Sequence, residues 1–426
     1  MIASIHPSTI NGNILAPRSK SDMQRACAAA LLHHGRTTIH HPGRSNDDLA
    51  ALDVIKKLGA VVTDLNETIL IESKGVEPVG HEINCGESGL GIRMFTPIAA
   101  LSEKKLVISG VGSLVTRPMH FFDEIFPQLG IEINSNNGKL PLQIKGPLKA
   151  SNITVDGSLS SQFLTGLLMA YAASGPIDVE IKVTDLKSKP YIDMTLRVIQ
   201  SFGMKQPVVK NYASFYFDKN THENKPSDIH YSVEGDWSGA AFLFVAGAIS
   251  NQIDIEGMQS DSVQADKKIL EAIRDAGAKI VYHEGVYNVC PAKLNAFQFD
   301  ATECPDLFPP LVALASHCNG ITHIKGANRL THKESNRALT LQEVFGKMGV
   351  QIDLEGDSMM IHGGNQIKSA RVHSHHDHRI AMAAAVAALK ADGVIQIDNA
   401  EAINKSYPDF YNDLISLGAY IQIDQQ

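Results

Sequence analysis

The chain has 426 residues, enough for two or three ordinary domains or fewer large ones, with the 44% hydrophobic and 20% charged composition of globular protein. Its formal charge of −8 argues against a broad nucleic-acid surface, so an anionic ligand must be held by a local basic cluster against an unfavourable global field. Five cysteines, an odd number with no CxxC pair, point to free thiols in a reducing compartment. The N-terminal run MIASIHPSTINGNI has no basic region followed by a long apolar stretch. The longest apolar stretch, near 240–249, is broken by Gly and too short to span a bilayer. The expectation is a soluble cytoplasmic protein.

Two kinds of helix alternate along the chain. One kind opens on a polar turn and is apolar almost all round: SKSDMQRACAAALL, ESGLGIRMFTPIAAL, SLSSQFLTGLLMAYAA, GDWSGAAFLFVAGAI, PDLFPPLVALA and DHRIAMAAAVAAL. An all-round apolar surface predicts burial on every side. Each is followed by a short alternating segment that reads as a strand: RTTIHH, KLVISG, IDVEIKV, QIDIEG, ITHIKG and VIQIDN. Then comes a helix with a mixed face, from SNDDLAALDVIKKLG in the first case to SYPDFYNDLISLG in the last.

Every mixed helix ends in an apolar or small residue plus Gly: Leu58-Gly59, Leu129-Gly130, Phe202-Gly203, Ala276-Gly277, Met348-Gly349 and Leu417-Gly418. Successive glycine numbers differ by 71, 73, 74, 72 and 69, and six units of 71 account for all 426 residues. Such a period means one structural unit used six times. The predicted fold is α/β, with two similar lobes. In each, three units wrap their sheets outward around three buried helices whose N-termini lie at one end. Helix N-termini carry partial positive charge and unpaired N–H groups, so that end is suited to anions.

The polar turns also collect charge. The first holds Lys20, Ser21 and Arg25: a mobile ammonium, a hydroxyl and a bidentate guanidinium, the donors a phosphate or carboxylate needs. The third holds Ser160, Ser161 and Gln162. Later turns supply Asp306, then Lys333, Glu334 and Arg337, then Asp377, His378, Arg379 and Lys405. Alone, each has an ordinary structural explanation. Asp306 suits a helix cap, Lys333 and Lys405 suit solvent, and Arg117 before Pro118 suits a helix start. The histidines His373, His375, His376 and His378 suggest a zinc site by composition, but no HExxH accompanies them, and a solvated loop before a helix accounts for them.

Taken in order, SKSxxxR at 19–25, Ser88-Gly89 with Arg93, Arg117-Pro118-Met119, DGSLSSQ, SKPYIDMTL, PDLFP, KESNR, DHRIAM and KSYPDF resemble the 5-enolpyruvylshikimate-3-phosphate synthase family of enolpyruvyl transferases over essentially the whole chain. The resemblance implies two inside-out α/β barrel lobes, residues 1–16 plus 235–426 and residues 17–234, with the active site between them. It implies transfer of the enolpyruvyl group of phosphoenolpyruvate to the 5-hydroxyl of shikimate 3-phosphate, releasing phosphate. Lysine and arginine would do the charge neutralisation, with no cofactor and no metal, in a monomer that closes on its first substrate.

By the same match, shikimate 3-phosphate would meet Lys20, Ser21, Arg25, Ser160, Ser161, Gln162, Ser188, Asp306 and Lys333, with Tyr191 packed alongside. Phosphoenolpyruvate would meet Lys20, Gly89, Arg117, Gln162, Arg337, Arg379 and Lys405. Asp306 would be the base for the hydroxyl. Glu334, assisted by Lys20, would protonate and later deprotonate the methylene. The chain departs from the family pattern with Arg18 in place of Gly, Leu90 in place of Thr or Ser, and Gln24 in place of Asn. Three rival readings are the sister transferase acting on UDP-N-acetylglucosamine, a non-catalytic anion-binding scaffold, and a metal hydrolase built on the histidines. The sister family's reactive Cys is missing from GVGSLVTRPMHFF, and the carboxylates kept among the cations weigh against a scaffold.

Overall fold

The computed structural model describes residues 1–219, 226–331 and 333–425. The chain divides into two compact units: a central one, Lys20–Val233, and a terminal one formed by Met1–Ser19 with Glu234–Gln426.

Among the described residues the α-helices are α1 (Lys20–Leu32), α2 (Asn46–Lys57), α3 (Gly89–Ala99), α4 (His120–Ile125), α5 (Ser161–Ser174), α6 (Lys189–Ser201), α7 (Trp237–Ile249), α8 (Ile269–Asp275), α9 (Phe308–Ser316), α10 (Arg337–Lys347), α11 (His378–Ala388) and α12 (Phe410–Ser416). The odd-numbered helices are the all-round apolar segments of the sequence, and they form the cores. Every residue of α3, α7, α9 and α11 is buried. In the central unit α1, α3 and α5 pack on one another; in the terminal unit α7, α9 and α11 do so. Each fully buried Leu, Phe or Ile on these helices is worth about 1.5–3 kcal/mol relative to exposure.

The packing is close enough to exclude larger residues. A Cβ on Gly166 of α5 would lie 2.6 Å from the Arg93 carbonyl oxygen and 2.8 Å from that of Met94, both on α3. The even-numbered helices have one buried face. The six recurring glycines that end these segments all have positive φ, between 61° and 111°. That conformation costs glycine little and lets the chain turn back into a strand.

Among the described residues, six four-stranded sheets pack around the buried helices. The third repeat shows the plan. Strands Ile153–Asp156 and Val179–Thr184 pair in parallel across α5, and Ser214–Phe217 and Val208–Lys210 follow antiparallel. Two repeats take their first strand from elsewhere in the chain. Asp228–Ser232 lies parallel to Gly35–His40 and completes the first repeat, while Gly12–Leu15 lies parallel to Ile253–Glu256 and completes the fourth. The N-terminal strand Ile2–Ile5 fills the sixth sheet, between Ile395–Asp398 and Ile421–Asp424. Arg18 pairs with Gly235 as a short antiparallel bridge, flanked by the Asp236 N–H to Pro17 carbonyl and Ser19 N–H to Glu234 carbonyl bonds.

Candidate active site

The central unit gathers the N-terminal ends of its buried helices. The Ser88 hydroxyl caps α3 by accepting the Gly91 N–H at 3.0 Å, and donates to Gln24 Oε1 of α1 at 2.8 Å. Arg93 of α3 donates to Gln162 Oε1 of α5 at 2.9 Å, and its guanidinium stacks over the Phe163 ring. Gly89 opens α3 against two other expected phosphoenolpyruvate residues. A Cβ there would lie 2.6 Å from the Arg117 guanidinium and 3.7 Å from Gln162 Oε1. Arg117 is buried and donates to the Ser113 hydroxyl at 3.1 Å. Ser160 caps α5, its hydroxyl accepting the Gln162 N–H at 3.3 Å, with Ser161 as the first helical residue.

Lys20 begins α1, and its ammonium pairs with Asp47 at 2.9 Å. Asp47 and Asp48 open α2, where Ser45 and Asp48 form a capping box, visible in the sequence as S-x-x-D. Burial pushes the Asp48 carboxyl up to about 7, although the Ser45 hydroxyl and N–H oppose the shift. Ser188 occupies the N-cap position of α6 in a left-handed conformation, φ 55°. Arg25 is 1% exposed and faces inward. It donates to the Thr195 hydroxyl at 3.0 Å, the Ser21 carbonyl at 2.8 Å and the Tyr191 carbonyl at 3.2 Å. Burial lowers its pKa to about 10. Arg25 thus fastens α6 to α1.

The terminal unit gathers Asp306, Lys333, Glu334, Arg337 and Arg379. Asp306 lies in a 3-10 turn at the head of α9, and its carboxylate meets three cations: Lys333 at 3.1 Å, Arg337 at 2.8 Å and Arg379 at 3.2 Å. Burial alone would raise its pKa, but those cations outweigh burial and hold it well below the usual 3.8. Burial lowers the pKa of Lys333, and Asp306 counters that shift only in part. Glu334 accepts from Arg337 at 2.6 Å.

Arg337 is 1% exposed and Asp377 0%. The Arg337 Nε donates to Asp377 at 2.8 Å, one terminal nitrogen to Asp377 at 3.1 Å and Glu334, and the other to Asp306. These carboxylates outweigh burial and raise its pKa. Asp377 also caps α11 by accepting the Arg379 N–H at 3.0 Å, and accepts the Ser335 hydroxyl at 3.0 Å. Lys405 is buried at the end of the 3-10 turn Ala400–Lys405.

A family model described as EPSP synthase (3-phosphoshikimate 1-carboxyvinyltransferase) matches residues 5–414. The chain belongs to the EPSP synthase family. A 3-phosphoshikimate 1-carboxyvinyltransferase of Clostridium kluyveri is 36% identical over 420 residues, covering 98% of this chain and 97% of the relative. One from Clostridium novyi is 35% identical over 427 residues, with the same coverage. Among solved structures, an EPSP synthase from Acinetobacter baumannii superposes with a TM-score of 0.82 at 23% identity over the full length of both chains. The enolpyruvyl transferase NikO from Streptomyces tendae superposes at 0.77 with 14% identity, covering 99% of this chain and 98% of its own. These two establish the likeness of fold. As an EPSP synthase family member, the chain is a 3-phosphoshikimate 1-carboxyvinyltransferase of the shikimate pathway, in aromatic amino acid biosynthesis.

The structure brings together, unit by unit, most of the residues that the family motifs single out. Gly89, Arg117 and Gln162 meet in the central unit; Asp306, Lys333, Glu334, Arg337 and Arg379 meet in the terminal one. Four residues that bond the expected site residues were not among them: Asp47, Arg93, Thr195 and Asp377. Asp47 opens a mixed-face helix, where no motif for anion binding points. Arg93, Thr195 and Asp377 stand inside motifs that were recognised, yet only the folded chain shows what they hold. Among the described residues no group of three His, Cys, Asp or Glu side chains is placed to hold a metal ion. None of the described helices is long and apolar enough to cross a membrane.

Proposed function

We propose that each cluster performs a separate part of carboxyvinyl transfer from phosphoenolpyruvate to the 5-hydroxyl of shikimate 3-phosphate. The central cluster binds. The α5 N-terminus with Ser160, Ser161 and Gln162, together with Lys20, Ser21 and Ser188, supplies the donors for the shikimate phosphate and hydroxyls. Gly89 leaves room for phosphoenolpyruvate against Arg117. Arg25 serves from beneath by holding Ser21 and Tyr191 in place.

The terminal cluster carries the proton chemistry. Asp306 is the base for the 5-hydroxyl. Ion-paired to three cations, it is a weak proton acceptor. Phosphoenolpyruvate competes for Arg379, and shikimate 3-phosphate for Lys333. As those pairs exchange, the Asp306 carboxylate is released and its basicity rises. Glu334, held by Arg337 and assisted by Lys20, protonates the methylene and takes the proton back when the tetrahedral intermediate collapses and phosphate leaves. Lys405 completes the charge neutralisation around phosphoenolpyruvate. In a closed, dry site these cations lower the repulsion between two polyanions and position them for attack.

The observation that carries the reading is the convergence of Lys333, Arg337 and Arg379 on Asp306. A phosphate-release assay with shikimate 3-phosphate and phosphoenolpyruvate, with UDP-N-acetylglucosamine as the control acceptor, tests it. Release with the shikimate acceptor alone supports the assignment; release with the UDP-sugar alone overturns it. In this reading the enzyme is a cytoplasmic monomer that closes on shikimate 3-phosphate. Small-angle scattering with and without that ligand tests both the closure and the oligomeric state.

A further inference from the structure

The turn 373–377, between the strand Ala370–His373 and α11, is held in an unusual way. His375 and His376 both have positive φ, 53° and 57°. Two consecutive non-glycine residues in that region persist only where the surroundings hold them. Three side-chain bonds do so. The His373 Nδ1 accepts the His375 N–H at 2.8 Å, the Ser374 hydroxyl accepts the His376 N–H at 3.2 Å, and the same hydroxyl donates to the Asn399 carbonyl at 2.9 Å. The first is the i to i+2 bond that an Asn or Asp side chain makes in an Asx turn.

The turn then delivers Asp377, whose N–H donates to the Ser374 carbonyl at 3.0 Å. Asp377 in turn caps α11 at Arg379 and grips Arg337, which holds both Asp306 and Glu334. We propose that His373 is a positioning residue for carboxyvinyl transfer: its neutral Nδ1 fixes the turn that places Asp377, and protonation of that nitrogen releases it.

A protonated ring has N–H at both nitrogens and cannot accept the His375 N–H. The charges around the ring set when that happens. Burial lowers the His373 pKa from its ordinary 6.5, and the His375 and His376 rings on the same turn lower it further; Asp398 and the Asn399 side chain oppose them. Asp398 is the cross-strand partner of His373 and is itself paired with Arg371 at 2.8 Å. The N-terminal ammonium also acts on Asp398 and bonds Glu401 at 3.1 Å. From α10, Glu343 faces His375 at 3.1 Å and is shared with Lys347 at 2.7 Å. The release therefore falls on the acid side of 6.5.

The inference rests on the carboxyvinyl-transfer reading, and pH profiles of kcat and KM for the full chain, with both substrates, test it. At about pH 7.5, His373→Ala is expected to lower kcat about tenfold while changing either KM less than about threefold. His373→Asn restores the acceptor without a titrating ring. It is expected to recover kcat to within about twofold and to lose the His373 part of the acid limb. Wild-type kcat in the Ala variant, equal losses in Ala and Asn, or an unchanged acid limb in Asn would each overturn it. Nitrogen NMR of the imidazoles gives a readout independent of turnover: at neutral pH, His373 is expected as the tautomer protonated on Nε2, and the Nδ1–H tautomer overturns the proposal. An inactive wild-type chain would fail the parent reading, whereas an active one indifferent to His373 fails only this inference.

Discussion

Asp377→Ala removes the support beneath the terminal cluster. The carboxylate accepts two bonds from Arg337, one from the Ser335 hydroxyl and one from the Arg379 N–H. Breaking a buried ion pair from one side costs about 3–5 kcal/mol, because the remaining charge stays in a place water does not reach. Loss of the helix cap adds about 1 kcal/mol. Arg337 keeps Asp306 and Glu334, which reduces the penalty, so a net loss of about 4 kcal/mol is expected. That is a large share of the roughly 5–15 kcal/mol that holds a folded protein together.

Asp377→Asn keeps an acceptor for the Arg379 N–H and one for Arg337, and should lose about 2 kcal/mol. A two-unit chain need not unfold in one step, so the assay is hydrogen exchange on α10 and α11 rather than a single melting curve. Protection there should fall in the order wild type, Asn, Ala, with α3 and α5 unchanged. Refutation would be an Asp377→Asn chain with wild-type protection on α11.

Gly166→Ala places a methyl group against two backbone carbonyls of α3, so hydrogen exchange on α3 and α5 should show a loss of about 1–3 kcal/mol. Gly89→Ala meets only the movable end of Arg117, so stability should hold while KM for phosphoenolpyruvate rises, as steady-state kinetics would show. Glu334→Gln should lower kcat by about a hundredfold with KM little changed; unchanged turnover would remove Glu334 from the chemistry. His317 and Asp48 should give the two units opposite pH responses. Burial lowers the His317 pKa from 6.5 to about 4, so its folded form resists a proton that the unfolded chain takes up. The terminal unit then loses about 3 kcal/mol as pH falls through that window, and His317→Leu should flatten the loss. Asp48, raised from 3.8 to about 7, binds a proton more tightly when folded, so its contribution favours the central unit at low pH and fades as pH rises to neutrality. Urea unfolding at pH 5 and pH 7.5, compared with Asp48→Asn, checks the second sign.

The repeat was legible because its punctuation is backbone chemistry. Gly59 through Gly418 mark positions where φ must be positive, and a side-chain sequence records such a requirement directly. The buried helices were legible because nothing polar interrupts α7 or α11 beyond the first turn. The exchange of strands was not. Ile2–Ile5 and Asp228–Ser232 alternate like any other strand, and their partners are set by packing hundreds of residues away. At the candidate site the motifs picked out charged groups but not their orientation. Arg25 and Arg337 read as ligand contacts; in the structure both are 1% exposed and bonded to neighbouring protein groups. A motif records that a guanidinium is needed; whether it faces the substrate or the residue that does depends on Thr195, Asp377 and other partners far away in sequence.

The order in which the chain leaves the ribosome gives the strand exchange a further meaning. The central unit is one uninterrupted segment, finished when Val233 has emerged. At about 5–20 residues per second, Ile421–Asp424 follows roughly 10 to 40 seconds later. Gly12–Leu15 waits only about 1–5 seconds of that interval for Ile253–Glu256, whereas Ile2–Ile5 waits nearly the whole interval for Ile421–Asp424. Ile2–Ile5, made before any of the central unit, is thus among the last strands to pair, and a nascent chain stalled midway would carry a completed central unit with a loose leading thread.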